Sequence, residues 1–415
     1  MSEFYSNDGE VDDGSTNSPS VEPAENIPRS TEYLLVETIR RVGVSNYSLI
    51  ARLTGLNSET VRYKVNRQLS RMGLGVKVSL DYSNLGFSMS VLDVRARYHP
   101  NRTWADYCSY LTFVGKVMGS DRYLCIYALP HRFKKKYTDE LTSLQTSGLI
   151  EQFESTDVMW ARNPPFRSEF YDFDHSRWNI DWERVDTAEK EMGLTTLFPC
   201  KEDPKIDSID VKIILSLQED PTINPAKIAK QLGANPRTIR YHYLEHVVKA
   251  KLILGNNVRR VDPTSGDQQQ QGNVMKVALS FKELQQEEAN AMQKICNKIP
   301  FTWLELKVAN GGYLALLEIP VQHFQDTVQY IEGKTEPLQK KLDFLILDSF
   351  KTQSLNIPYE MFDLERGWRL MPFLRKHGTE REEGSDGGEK KVLQESAPLS
   401  PGQRQGQGSM VVSQE

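Results

Sequence analysis

The stretch "IARLTGLNSETVRYK" from Ile50 returns as "IAKQLGANPRTIRYH" from Ile228, 178 positions later. Seven positions are identical in place: Ile50/Ile228, Ala51/Ala229, Gly55/Gly233, Asn57/Asn235, Thr60/Thr238, Arg62/Arg240 and Tyr63/Tyr241. A chain that repeats itself at this spacing must build similar units twice, so any fold proposed for one half has to suit the other. At 415 residues the length allows two to four domains, and the repeat selects two halves.

In the second copy three helical patterns follow one another. Ile209, Ile213 and Leu217, with Ile214 beside them, form one apolar stripe. Asn224 is a suitable N-cap and Pro225 fits the first helical position, where a missing N–H costs nothing. Gly233 suits the end of that helix, and Asn235-Pro236 repeats the start signal for a longer one. Asn46, Gly55 and Asn57 keep these signals in register in the first copy. Two turns of helix, a glycine turn and a longer helix make a helix-turn-helix, and the small Ala51 and Ala229 let its helices cross closely.

The longer helix is the candidate DNA reader. With Val61, Val65, Leu69 and Met72 turned inward, the 100° step places Glu59, Tyr63, Asn66 and Ser70 outward, with Arg62 and Arg67 on the flanks. In the second copy Ile239, Tyr243 and Val247 face in while Arg237 and Tyr241 face out and Arg240 flanks them. The candidate DNA-contacting set is therefore Ser58, Glu59, Thr60, Arg62, Tyr63, Asn66 and Arg67 in the first reader. In the second it is Arg237, Thr238, Arg240, Tyr241 and His242. Arginine can pair with guanine, asparagine with adenine, and hydroxyls with phosphate. Arg62 and Arg240 have a second reading, holding the first helix in place; Tyr63 and Tyr241 have one as packing residues, and Thr60 and Thr238 as part of a cap. The readers differ at Ser58-Glu59 against Pro236-Arg237 and at Lys64 against His242, so an imperfect palindrome is the expected site.

Each reader is followed by strand and helix patterns in the order βαββαβ. In the first half these include "SMSVLDVRARYHP", a helix over 101–113, "RYLCIYALP" and "LIEQFESTDVMWAR"; in the second they run from "NVMKVALSFK" to "LDFLILDSFKTQS". The expected fold class is α+β, two winged-type helix-turn-helix units each followed by a ferredoxin-like domain. The expected divisions are an acidic tail at 1–28, helix-turn-helix units at 29–80 and 207–260, and ferredoxin-like domains at 81–182 and 261–376. A linker is placed at 183–206 and a second tail at 377–415.

The segment "IDSIDVKIILSLQEDPTINPAKIAKQLGANPRTIR", with "LDYSNLGF" and "VMGSDRYLCIYAL" in the first half, resembles the Lrp/AsnC (feast/famine) family. That resemblance implies a transcriptional regulator whose sandwich domain dimerises and often binds an amino acid near a Gly-x-x-Asp turn. Gly119 and Asp121 are the matching positions for such a small-molecule effector. This turn is one residue short, and Asn310-Gly311-Gly312 in the second half has no acid, which favours a plain hairpin. Two readers in one chain imply a monomeric pseudo-dimer or a homodimer on double-stranded DNA.

The net charge of −5 conceals an uneven distribution: residues 1–28 carry −7 and 377–415 carry −3, leaving the body at +5. Residues 31–74 hold seven bases against three acids, and 209–252 seven against four. Four cysteines without CxxC spacing and the lack of a long apolar run suggest a cytoplasmic protein with no membrane span and no structural zinc. No phosphate-binding loop, HExxH or GxSxG occurs, so no catalytic residue or cofactor is assigned and the chain is expected not to be an enzyme. The enzymatic rival is a siroheme decarboxylase, a class that resembles the Lrp/AsnC fold and holds a tetrapyrrole. Of seven histidines, His242 and His246 lie one helical turn apart, but no third ligand is suggested and no metal is assigned. A scaffold role in a transcription complex is the other alternative. Asp172, Asp174, Asp363 and Glu365 read as caps or ion-pair partners.

Overall fold

The computed structural model describes residues 30–96, 104–188, 193–199, 206–260, 274–363 and 365–370; the tails expected at 1–28 and 377–415 lie outside them. The first half opens with α1 (Thr31–Val42) and α2 (Tyr47–Thr54). Its reader begins as α3 (Ser58–Tyr63), widens into a π turn (Lys64–Gln68) and closes as α4 (Leu69–Arg71). The cap signals act as their chemistry requires. The side-chain oxygen of Asn46 accepts from Leu49 N at 3.0 Å and that of Asn57 from Thr60 N at 2.7 Å. Between them Gly55 ends α2 in the left-handed region, at φ +72°. Leu35, Val36, Ile39, Ile50, Val61 and Leu69 form the core of this unit.

After strand β1 (Leu74–Leu80) come β2 (Phe87–Arg95), β3 (Leu111–Lys116), β4 (Arg122–Pro130), α5 (Lys134–Thr146) and β5 (Gln152–Asn163). The short hairpin β6 (Tyr171–Asp172) and β7 (Arg177–Trp178) completes the half. The helix expected over 101–113 is not seen in that form: Trp104–Tyr107 is a single 3₁₀ turn. Leu111–Lys116 is a strand because the run Leu-Thr-Phe-Val suits a pleated, half-buried surface better than a helix. Part of the segment expected as a linker is also structured. Asp181 caps α6 (Trp182–Thr187), and β8 (Leu194–Leu197) pairs with β5.

The second half repeats the strand order, with a full helix where the first half has the 3₁₀ turn. It runs α7 (Ser208–Glu219), α8 (Pro225–Leu232), α9 (Pro236–Tyr241) with a π turn at His242–Val248, and β9 (Ile253–Arg260). Then follow β10 (Val274–Phe281), α10 (Gln286–Lys298), β11 (Thr302–Val308), β12 (Gly312–Pro320), α11 (Phe324–Thr335) and β13 (Leu342–Leu347). The edge strand β14 (Gln353–Ser354) and the hairpin of β15 (Phe362–Asp363) and β16 (Gly367–Trp368) end the described chain. Within each half the four main strands pair in the ferredoxin-like order: β5-β2-β4-β3 and β13-β10-β12-β11. The fold is α+β, with two winged helix-turn-helix units each followed by a ferredoxin-like domain. No helix among the described residues is long and apolar enough to cross a membrane.

The halves complete one another at two seams. β5 pairs with β11, and the ends of β3 and β13 meet at the Val117–Leu347 bridge, where Met118 N donates to Ile346 O at 2.8 Å. The ten strands thus curl into one closing antiparallel sheet. At the first seam Arg162 faces Glu305; its Nε donates to the carboxylate at 2.7 Å, and Tyr313 donates to the other carboxylate oxygen. Glu305 is fully buried and Arg162 nearly so.

The wings exchange as well. β1 and β9 pair antiparallel with Val78 opposite Asn256, two positions 178 apart, so a local two-fold axis passes between them. Leu80 of the first wing packs in the cluster holding Val211, Ile214 and Ile228 of the second helix-turn-helix. Its counterpart Val258 packs with Leu35, Ile39 and Ile50 of the first. Each wing therefore seals the other half's reader.

Two stability predictions follow from this geometry. Breaking a buried pair strands the remaining charge, so Glu305→Gln should cost about 3–5 kcal/mol in urea denaturation; a loss below about 1 kcal/mol would show that the seam does not depend on it. The turn after each reader needs a left-handed residue: Gly73 supplies it in the first half (φ +70°), but Lys251 holds the same conformation at φ +55° in the second. Lys251→Gly should stabilise the chain by about 1 kcal/mol in the same assay, and a loss of stability would contradict the assignment.

Candidate nucleic-acid interface

Each reader divides into an inward face committed to packing and an outward face left to solvent. Val61, Val65 and Leu69 are buried in the first, as are Ile239 and Val247 in the second, with Met72 and Tyr243 half-buried beside them. Ser58, Glu59, Arg62, Tyr63, Asn66 and Arg67 are exposed, and Thr60 is half-buried next to its cap. In the second reader Arg237, Thr238, Arg240 and Tyr241 are exposed. Tyr63 and Tyr241 are 45% and 56% exposed, which places both rings outside the core rather than against a neighbouring helix.

The two outward faces differ in their internal commitments. In the first reader Arg62 lies 3.5 Å from Glu59, the Tyr63 hydroxyl accepts from Arg71 at 3.1 Å, and Tyr47 donates to Asn66 at 3.3 Å. In the second, Arg237 and Arg240 have no side-chain partner among the described residues; neither does Arg67 in the first. An unpaired guanidinium on an exposed helix start is suited to a phosphate or a guanine edge.

His242 departs from the expected outward set. It is buried, and its Nδ1 lies 2.9 Å from the Asp210 carboxylate, which is itself fully buried on α7. His246 Nδ1 approaches the other oxygen of Asp210 at 3.2 Å. The first half repeats this bridge with different chemistry: Lys64 donates to Glu32 of α1, and Gln68 Nε2 donates to the same carboxylate oxygen at 2.7 Å. Glu32, Lys64 and Gln68 stand 178 positions before Asp210, His242 and His246. The residues that hold the first helix are thus Lys64 and His242, two places beyond the arginines to which that role was a candidate assignment. Residues four apart share one side of a helix, so Lys64 with Gln68 and His242 with His246 turn together toward the first helix of their half. The sequence signal that could have found this is the matched offset of an acid in the first helix and a cation in the third.

Gly119 and Asp121 lie in the turn between β3 and β4. The adjoining residues Val117 and Met118 pair with β13, so this turn stitches the second seam. The Asp121 carboxylate is largely exposed and lies 4.0 Å from the ammonium of Lys116. Asp172 and Asp363 each accept backbone N–H bonds from the two and three residues that follow, closing the β6–β7 and β15–β16 turns. Those bonds hold both carboxyls below the usual carboxylate range.

A sequence profile described as winged helix-turn-helix DNA-binding matches residues 206–244, a span that contains α7, α8 and α9. The second half contains a winged helix-turn-helix DNA-binding domain. No curated protein matches the chain. Among solved structures the chain is similar to the siroheme decarboxylase NirDL, with TM-score 0.47 and 10% identity over 80% of this chain and 94% of that one. NirDL in co-complex with an iron-uroporphyrin III analogue matches at TM-score 0.44 and 11% identity, covering 77% and 91%. The structure of PH0061 matches at TM-score 0.27 and 12% identity, covering 37% of this chain and 99% of that one. The expectation that the chain is not an enzyme is corrected here, because the solved structures that it resembles include an enzyme.

Proposed function

We propose that this chain is a sequence-specific DNA-binding transcriptional regulator, built as a tandem duplication of an Lrp/AsnC-like unit, in which both readers face one duplex. The observation that carries this reading is the pair of unpartnered, exposed arginines, Arg237 and Arg240, at the start of the helix inside the matched winged helix-turn-helix span. The inward faces of both readers are fixed by packing and by an acid–cation bridge, so their outward faces are pre-organised at little entropic cost. The local two-fold axis between Val78 and Asn256 relates the two readers and suits a site made of two inverted, non-identical half-sites. The second reader is the stronger phosphate binder, since Glu59 offsets Arg62 in the first and, among the described residues, no acid pairs with Arg240 in the second. The exposed Asp121 carboxylate, 4.0 Å from the Lys116 ammonium, is the group that would meet an amine-bearing effector, with the Gly119 turn beside it.

Titration of the full chain against fluorescent random duplex at several salt concentrations tests this reading. Arg240→Glu should weaken binding at least tenfold and lower the slope of log K against log salt by about one or more. Arg62→Glu should act in the same direction with a smaller effect. Weak binding without salt dependence, unchanged by both substitutions, would contradict the proposal.

A further inference from the structure

Beneath the second reader four metal-ligating side chains converge: Asp207, Asp210, His242 and His246, whose candidate ligand atoms all lie within 4.8 Å of one another. They come from two helices that the fold brings together, the acids from the start of α7 and the histidines from the π turn that follows α9. Asp207 uses one oxygen to cap α7, accepting from Ile209 N and Asp210 N at 2.8 and 3.0 Å. Its other oxygen is turned toward His242, 3.6 Å from Nδ1. Asp210 presents one oxygen to His242 at 2.9 Å and the other to His246 at 3.2 Å. Four ligands around a tetrahedral zinc, with bonds near 2.0–2.1 Å, sit about 3.3 Å apart. The nitrogen–oxygen separations at this cluster bracket that edge.

The first half shows what the position requires. Its buried Glu32 is met by the Lys64 ammonium, a built-in cation, and by the Gln68 amide. In the second half the same two places carry imidazoles and a second carboxylate joins them, so the fixed cation is replaced by a set of nitrogen and oxygen donors. We propose that Asp207, Asp210, His242 and His246 bind one divalent transition-metal ion of the zinc type, which ties α7 to the second reader as Lys64 ties α1 to the first. Two imidazoles with two carboxylates suit Zn²⁺ or Co²⁺ better than Mg²⁺ or Ca²⁺, which prefer all-oxygen shells. The expectation that this histidine pair lacks further ligands is thereby replaced, since both acids lie more than thirty residues earlier in the chain.

The first half supplies the test variants. His242→Lys and His246→Gln each install the residue that stands at the equivalent place in the folded first unit. The full chain, stripped with chelator and dialysed against micromolar Zn²⁺ at neutral pH, should retain one equivalent by elemental analysis. With Co²⁺ it should show the visible absorption of a four-coordinate site. Both variants should keep the wild-type circular dichroism, lose the cobalt spectrum and bind Zn²⁺ at least about a hundredfold more weakly. Zinc uptake equal in the wild type and in either folded variant would overturn the proposal. So would a wild-type chain that binds no stoichiometric zinc and whose thermal midpoint ignores the metal, which would leave an acid bridged by imidazoles alone.

Discussion

Neither ferredoxin-like half can satisfy its own edges. The outer strands β5 and β3 of the first half expose backbone groups that find partners on β11 and at the end of β13 of the second, and at the β5–β11 seam a buried guanidinium meets a buried carboxylate. An unpaired edge is a template for association, and closing the sheet removes it. Arg162 and Glu305 add a condition on register: a one-residue slip along the seam would bury one charge without the other. That condition fixes how the halves meet, and with it where the two helix-turn-helix units stand. The crossed wings tie the same constraint to the readers, because Leu80 and Val258 each complete the core of the opposite unit.

Above that frame each reader rests on one polar bridge. A buried acid in the first helix needs a donor from the third, and the two halves meet this need with an ammonium and an amide in one case and two imidazoles in the other. The bridge leaves Arg237 and Arg240 of the second reader without a side-chain partner among the described residues, whereas Arg62 of the first keeps Glu59 at 3.5 Å. This division of labour between inward Lys64 or His242 and outward Arg62 or Arg240 is what gives the outward face its availability for a ligand.

What could be read from the sequence was what local physics decides. The asparagine caps, the left-handed glycines and the apolar stripes depend on residues three or four apart, and the structure shows Asn46, Asn57, Asn224 and Asn235 all capping. The first residues of the strand Leu111–Lys116 were hidden because their neighbours at 104–110 imitate a helical pattern before β-branched residues take over. His242 stood in the DNA-contacting set as the counterpart of Lys64 in the repeat, and its buried place depends on Asp210, 32 positions earlier on α7. The ligand cluster joins residues 32 to 39 positions apart across two helices, and the exchanged wings join residues about 180 apart; no local pattern encodes either.

The central claim is that one chain presents two related readers to one duplex. Its most direct test is a hydroxyl-radical footprint of the full chain on the tightest duplex selected from a random pool. Two protected segments in inverted orientation, with Arg240→Glu erasing one and sparing most of the other, are the predicted result. A single undivided footprint that fades uniformly with that substitution would contradict the account.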